Sequence, residues 1–288
     1  MSSLTMNTKT LKVIYGPTAI GKTKLAIKLA KLHNTEVISA DSRQFYKEMS
    51  IGTAIPSKDE LNQVRHHFIH HKSIHENFNV NHFEQEGLNL TNSLFEKYDT
   101  LILVGGSGLY IDALCKGLDK FPEIDDNLRD NTRLEYQKNG LKWLQDEVKK
   151  LDIKFYQKAD VNNPQRLLRC LEVCRQSGQS YSSFRINKSS QRLFDVDYIS
   201  IKMDRDKLYN RINKRVDIMM ENGLLKEAEN LYPYQNLNAL QTVGYKELFM
   251  FMDNKIKLEK AIDLIKQNSR RYAKRQITWL KRYPIQWF

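Results

Sequence analysis

The stretch Leu11-Lys12-Val13-Ile14-Tyr15-Gly16-Pro17-Thr18-Ala19-Ile20-Gly21-Lys22-Thr23 changes character at its centre. Leu11 to Tyr15 is a short apolar run of strand type. Over Lys24–Leu32, by contrast, Leu25, Leu29 and Leu32 fall on one helical stripe. Between the two, Gly16 to Thr23 fits G-x-x-x-x-G-K-[ST], the pattern of a backbone nest for phosphate. Gly16 and Gly21 let backbone N–H groups turn inward, and the helix start adds partial positive charge. Lys22 reaches the terminal phosphates, and the Thr23 hydroxyl can hold Mg²⁺. The whole loop (Gly16, Pro17, Thr18, Ala19, Ile20, Gly21, Lys22 and Thr23) is therefore the candidate diphosphate site. A plain glycine turn is the competing reading, and it does not call for strand and helix on these sides. Neither reading says which molecule carries the phosphates.

Working outward, further strands are expected at Glu36–Ala40, Thr100–Val104 and Val196–Met203, with helical stretches between the early ones. This alternation implies an α/β fold: a P-loop NTPase-like parallel sheet flanked by helices. From about Phe121 to Arg192 the texture turns helical and charged, with breaks at Asn139-Gly140, Asn162-Asn163-Pro164 and Ser177-Gly178. Residues 121–192 are read as a helical insertion domain in a core of 1–120 and 193–288. After the last strand a single helical pattern is expected over Asp206–Leu231, its apolar stripe formed by Leu208, Ile212, Val216 and Met219.

The 288 residues carry 46 Lys and Arg against 34 Asp and Glu, a net +12, which favours a polyanionic partner without specifying nucleic acid. Three cysteines, Cys115, Cys170 and Cys174, form no CxxC pair and fit a reducing compartment. The polar segment Met1–Lys9 holds no apolar leader run, and no stretch approaches membrane-spanning length. A cytoplasmic protein without membrane contact is expected, and a monomer.

The residues from Leu264 to Phe288 include Lys266, Arg270, Arg271, Lys274, Arg275, Lys281 and Arg282 and no acid. Wound as one helix, these cations from Arg270 onward share an arc, opposite Tyr272, Ala273, Ile277, Trp279 and Leu280. A solvated face and a membrane-surface helix are the alternatives to phosphate-backbone contact.

Asp41-Ser42-Arg43-Gln44 follows the second strand. In an open parallel sheet the carboxyl ends of adjacent strands share a crevice, which puts Asp41 near the phosphate loop. There it can coordinate Mg²⁺, accept a proton from a nucleophile, or simply cap a helix. The third strand ends in Gly105-Gly106-Ser107-Gly108, a turn that allows close ligand approach and lacks the Mg²⁺-binding Asp of many ATP hydrolases. Six of seven histidines crowd between His66 and His82, without carboxylates or cysteines at metal-site spacing. Pro164 suits the first turn of a helix in which Arg166 and Arg169 share a face. Whether these arginines grip phosphates or pair with acids stays open.

In their order, these segments resemble the bacterial tRNA dimethylallyltransferases, or tRNA isopentenyltransferases. The resemblance runs through GPTAIGKT at 16–23, ADSRQFYKEMSIGTA at 40–54, HHFIHHKSI at 66–74, GGSGLY at 105–110, NPQRLLRCLEV at 163–173, QTVGYKEL at 241–248 and YAKRQITWLKR at 272–282. It implies transfer of a dimethylallyl group from dimethylallyl diphosphate, with Mg²⁺, to N6 of the adenosine 3′ of the anticodon in a tRNA anticodon stem-loop. On that footing the loop and Lys22 hold the donor diphosphate, Thr23 holds Mg²⁺, Asp41 accepts the N6 proton and Ser107 holds the nitrogen. Arg215 matches a diphosphate-binding arginine. Asp41, Ser42, Arg43 and Gln44, Ser107, Arg129, and Gln165, Arg166, Leu167, Leu168 and Arg169 match tRNA-contact positions, to which the basic C-terminal Arg270, Arg271, Lys274 and Arg275 add phosphate contacts. The target base would leave its stack to reach a crevice between core and insertion. The sequence departs from the family at Ile20, where a small residue is usual, at Ser107 for Thr, and at Ile55 for Lys. A P-loop small-molecule or nucleotide kinase is the alternative, with Lys22 and Thr23 on ATP. A non-catalytic RNA-binding module is a third reading.

Overall fold

The computed structural model describes residues 9–186 and 190–288; residues 1–8 and 187–189, including most of the polar N-terminal segment and part of the expected insertion, lie outside them. The chain divides into two compact units, one of residues 1–116 with 191–288, the other of 117–190.

The larger unit holds a six-stranded sheet in the order β3-β2-β4-β1-β5-β6, built from β1 (Thr10–Tyr15), β2 (Val37–Ala40), β3 (His66–His67), β4 (Thr100–Gly105), β5 (Asp195–Ser200) and β6 (Ile285–Trp287). All pairs are parallel. A parallel sheet is covered on both faces, so its inner strands read as nearly continuous apolar runs. Leu11, Val13 and Ile14 on β1 and Leu101, Ile102 and Leu103 on β4 are accordingly buried. Helices α1 (Lys22–Leu32), α2 (Lys58–Gln63), α3 (Val80–Phe95) and α4 (Gly108–Lys116) alternate with the early strands, in a P-loop NTPase-like arrangement.

Register does the positioning. Tyr15 on β1 and Ala40 on β2 both align with Gly105 on β4. The segments that follow, Gly16–Thr23, Asp41–Gln44 and Gly106-Ser107, therefore leave the sheet at one level on its carboxyl edge.

Several expectations need correction. β5 stops at Ser200, short of Met203; its ladder with β1 ends at Ile199 and its ladder with β6 at Ser200. β3 and β6, of two and three residues, are too short to leave a periodic signal. The pattern over 206–231 is two helices, α9 (Arg205–Glu221) and α10 (Leu224–Leu231), because Gly223 takes a left-handed φ of 96° between them. Beyond them come α11 (Tyr245–Met252) and α12 (Leu258–Leu280). α12 ends before Lys281, so Lys281 and Arg282 lie in the turn leading to β6, off the helical arc expected for them. The basic segment is also not free of anions, since Lys266 pairs with Asp217 and Arg282 lies 3.8 Å from Asp112.

In the smaller unit the order is α5 (Asp126–Leu151, interrupted at Gly140), α6 (Ile153–Lys158), α7 (Pro164–Ser177) and α8 (Tyr181–Phe184). α7 follows its sequence signals closely. The Asn163 side chain accepts from the Arg166 N–H, Pro164 occupies the first turn, and Gly178 ends the helix at φ 68°. Leu144, Val148, Phe155, Leu167, Cys170, Leu171 and Cys174 form this unit's core.

Candidate active site

Two cavities open side by side on the carboxyl edge of the sheet. The smaller, about 270 Å³, is the phosphate loop's own: Thr18, Ala19, Gly21, Lys22 and Thr23 line it, facing Asp41, Gln44, Arg211 and Arg215. The larger, about 710 Å³, shares Thr18, Asp41, Thr53, Ala54, Arg215 and Tyr272 with it and adds Val216, Met219, Met250 and Ile265. A cationic pocket thus runs into one with substantial apolar lining.

The loop is shaped by its glycines and by what it grips. Gly21 caps α1 at φ 109°, a conformation that side chains resist. Lys22 Nζ donates to the carbonyls of Gly16 and Pro17, both at 2.9 Å. Protein crowding its ammonium, together with the nearby Arg215 guanidinium, pulls the Lys22 pKa down to about 7, with Asp41 opposing. Arg215 is likewise depressed by burial, partly offset by Asp41, and it donates to the Ala54 carbonyl at 3.3 Å. Ile20 turns away from the pocket and is buried with Leu208, Ile212 and Ala273. Ile55 lines the smaller cavity as an apolar side chain.

Asp41 caps no helix. Its Oδ1 accepts the Arg43 N–H at 2.9 Å and the Gln44 N–H at 3.4 Å, closing a turn, while the residue lines both cavities. Oδ2 is therefore the oxygen available to a ligand. Ser107 stands just before α4, yet its hydroxyl accepts the Ser42 N–H at 3.1 Å and so ties the β4 loop to the β2 loop. Arg43 donates to the Asn238 carbonyl at 2.8 Å, and Gln44 Nε2 donates to the carbonyls of Thr53 and Ala54.

On α12, Arg271, Lys274 and Arg275 are exposed and share a groove with Trp279 and Arg282. Arg270 instead turns toward α9 and donates to Asn213 at 2.6 Å. In the smaller unit Gln165 and Arg166 are exposed on α7, Arg169 lies over the Phe121 ring, and Arg129 pairs with Asp126. Leu168 is partly exposed, but Leu167 is fully buried in that unit's core, so its side chain packs and cannot face RNA.

A protein-family profile described as IPP transferase matches residues 44–283. The chain belongs to the IPP transferase family. Among its relatives, the tRNA dimethylallyltransferase of Christiangramia forsetii is 52% identical over 96% of this chain and 91% of its own. The one from Flavobacterium johnsoniae is 53% identical over 97% and 93%. Among solved structures, a full-length tRNA isopentenylpyrophosphate transferase from Bacillus halodurans aligns at TM-score 0.70 and 38% identity, covering 97% of this chain and 89% of that one. A eukaryotic dimethylallyltransferase acting on tRNA aligns at TM-score 0.78 and 28% identity, covering 94% and 70%.

Several residues of the site carry no signal in the sequence. Tyr272, read above as a packing residue, lines both cavities, and burial with Asp41 nearby pushes its hydroxyl up to about 12. Glu227 on α10 accepts the N–H groups of Ser50, Ile51 and Gly52 at 3.0, 2.8 and 2.9 Å and the Tyr245 hydroxyl at 2.7 Å. It thereby shapes the loop that gives Thr53 and Ala54 to the cavities. Nothing near Glu227 in sequence signals this. Of the clustered histidines, His67 bonds Glu36 and His71 sits among Phe45, Phe68 and Phe78. Among the described residues no group of three or more His, Cys, Asp or Glu could hold a metal, and no helix is long and apolar enough to cross a membrane.

Proposed function

We propose that the chain transfers a dimethylallyl group from dimethylallyl diphosphate to N6 of the adenosine 3′ of the tRNA anticodon, releasing diphosphate. It is a transferase of the prenyl-transferring class. One observation supports this chemistry above the others: a cationic loop and a carboxylate leave neighbouring strands at one level and line joined phosphate and apolar cavities, while the Ser107 hydroxyl stands just outside the lining, bonded to Ser42 of the larger cavity.

The adenine amine is a weak nucleophile because its lone pair is delocalised, so rate must come from positioning, proton removal and stabilisation of the leaving group. In this reading Lys22, the loop N–H groups and Arg215 take the charge that develops as the C1–O bond breaks. N6 forms the new bond to C1, and its proton passes to Oδ2 of Asp41. Ser107, held by Ser42, orients the nitrogen. The sparse acidic lining, Asp41 and Glu60, suits an ion bound mainly through substrate oxygens. Thr23 and Asp41 would hold Mg²⁺, which supplies further neutralisation of the diphosphate. Arg271, Lys274 and Arg275 on α12, with Arg129, Gln165, Arg166 and Arg169, are proposed to hold the anticodon stem-loop, and a monomer in the cytoplasm is the expected working form.

The relatives named tRNA dimethylallyltransferase over nearly the whole chain weigh against the kinase alternative. Incubation with labelled dimethylallyl diphosphate, Mg²⁺ and unmodified tRNA tests the reading. Label should enter the tRNA at the adenosine next to the anticodon, as mapped by mass spectrometry. Label staying in the donor while ATP is consumed would favour a kinase.

A further inference from the structure

Gln276 lies on the buried side of α12, 4% exposed. Both ends of its amide are committed to backbone: Oε1 accepts the Thr18 N–H at 2.8 Å, and Nε2 donates to the Gly106 carbonyl at 2.9 Å. Thr18 belongs to the phosphate loop, and Gly106 immediately precedes Ser107. A Cβ on Gly106 would stand 2.2 Å from Nε2, so the bare glycine is what lets the amide lie between the loops. The bridge is anchored from its own side as well. The Tyr15 hydroxyl donates to the Gln276 carbonyl at 3.2 Å, and Trp279 and Tyr283 donate to Asp112 on α4 at 3.2 and 2.9 Å.

An amide carries no charge, and although Gln276 is among the residues lining the phosphate cavity, each end of its side chain is already bonded to one of the two loops. We propose that Gln276 is a positioning residue of the transfer, fixing the spacing between the loop that grips the leaving diphosphate and the loop whose serine holds the attacking nitrogen. The inference rests on the reading above that these loops hold the two reactants. Its physical basis is that displacement needs the nitrogen and C1 held at near-attack distance, and a shift of about 1 Å between the two holders can cost about 10²-fold in rate. Either loop binds its own ligand without the bridge; only their relative placement needs it.

The test uses the full chain with Gln276→Leu, which removes both bonds, and Gln276→Glu. The latter keeps an acceptor for Thr18 but sets an oxygen against the Gly106 carbonyl. Single-turnover transfer from labelled dimethylallyl diphosphate to an unmodified anticodon stem-loop is measured alongside affinities for inorganic diphosphate and for the RNA, with melting temperature as the check on folding. Transfer should fall about 10²-fold in both variants while each affinity moves less than about threefold. If Gln276→Leu does not fold, the near-isosteric Gln276→Glu carries the test alone. Transfer within about twofold of wild type in a folded variant overturns the inference, as does a loss that resides wholly in either affinity. Wild-type protein that transfers no label would sink the functional reading and this inference together; wild type active with variants equally active sinks only the role of Gln276.

Discussion

At the scale of single residues the sharpest expectations concern Asp41 and Lys22. Because Asp41 Oδ1 closes the turn at Arg43 and Gln44, Asp41→Ala would loosen that turn as well as remove a base. Asp41→Asn separates the two effects, since its Oδ1 still accepts while the proton acceptor is gone. Transfer by Asp41→Asn should drop about 10²–10⁴-fold with tRNA affinity nearly unchanged, which filter binding beside single-turnover kinetics would show. Equal losses in binding and turnover would contradict the role. Lys22 has a pKa of about 7 in the folded protein against an ordinary value of 10.5. Between those values the unfolded chain binds the extra proton, so this group makes the free protein more stable as pH rises from 7 toward 10.5. A diphosphate beside Lys22 favours the charged form. Binding above pH 7 should thus take up to about one proton at this lysine, with affinity falling as pH rises. Calorimetry of inorganic diphosphate binding at pH 8, in buffers of different ionisation enthalpy, should show greater uptake in wild type than in Lys22→Met. Both residues were legible from their motifs. Gln276 was not, although a polar side chain spaced with Ala273 and Leu280 on a packing face is a faint signal of a buried amide with partners.

At the scale of elements, α10 and α12 act through loops they do not belong to. The Glu227 carboxylate gathers three consecutive backbone N–H groups and the Tyr245 hydroxyl, and the loop it gathers offers the Ala54 carbonyl to Arg215. Removing that acceptor leaves several donors unpaired. Glu227→Ala should cost about 2–4 kcal/mol in urea unfolding and raise the donor KM more than it weakens RNA binding, with Glu227→Gln intermediate. A donor KM identical to wild type would detach this loop from the diphosphate site. The QTVGYKEL block, recognisable in sequence, thus acquires a reason: Tyr245 packs so closely on Gly52 that a Cβ there would lie 2.6 Å from its ring. Strands β1, β2 and β4 were readable because their ends are punctuated by glycine or a turn. β3 and β6 were not, since so short a strand exists only through the neighbour that pairs with it. The split of α9 from α10 hinged on Gly223, which a continuous apolar period concealed.

At the scale of the whole molecule, the net +12 sets a general attraction for polyanions, and the fold decides which cations are available to one. Lys266 and Arg282 have acidic neighbours and Arg270 is held by Asn213, whereas Arg271, Lys274 and Arg275 stay on the exposed groove. Neutralising those last three should lower the slope of log affinity against log salt by about 2–3 for a tRNA substrate. A slope unchanged from wild type, measured by filter binding from low to moderate salt, would remove this groove from the RNA interface. Sequence alone determined the alternation of strand and helix, the phosphate loop and the family, because each is written in local period, in glycine placement or in motif order. Tertiary structure alone decided that Ala40 and Tyr15 share a level with Gly105, that Gln276 and Glu227 brace loops far from them in the chain, and which basic residues remain exposed. Register, burial and bonds between distant segments arise from packing, which no local stretch of residues encodes by itself.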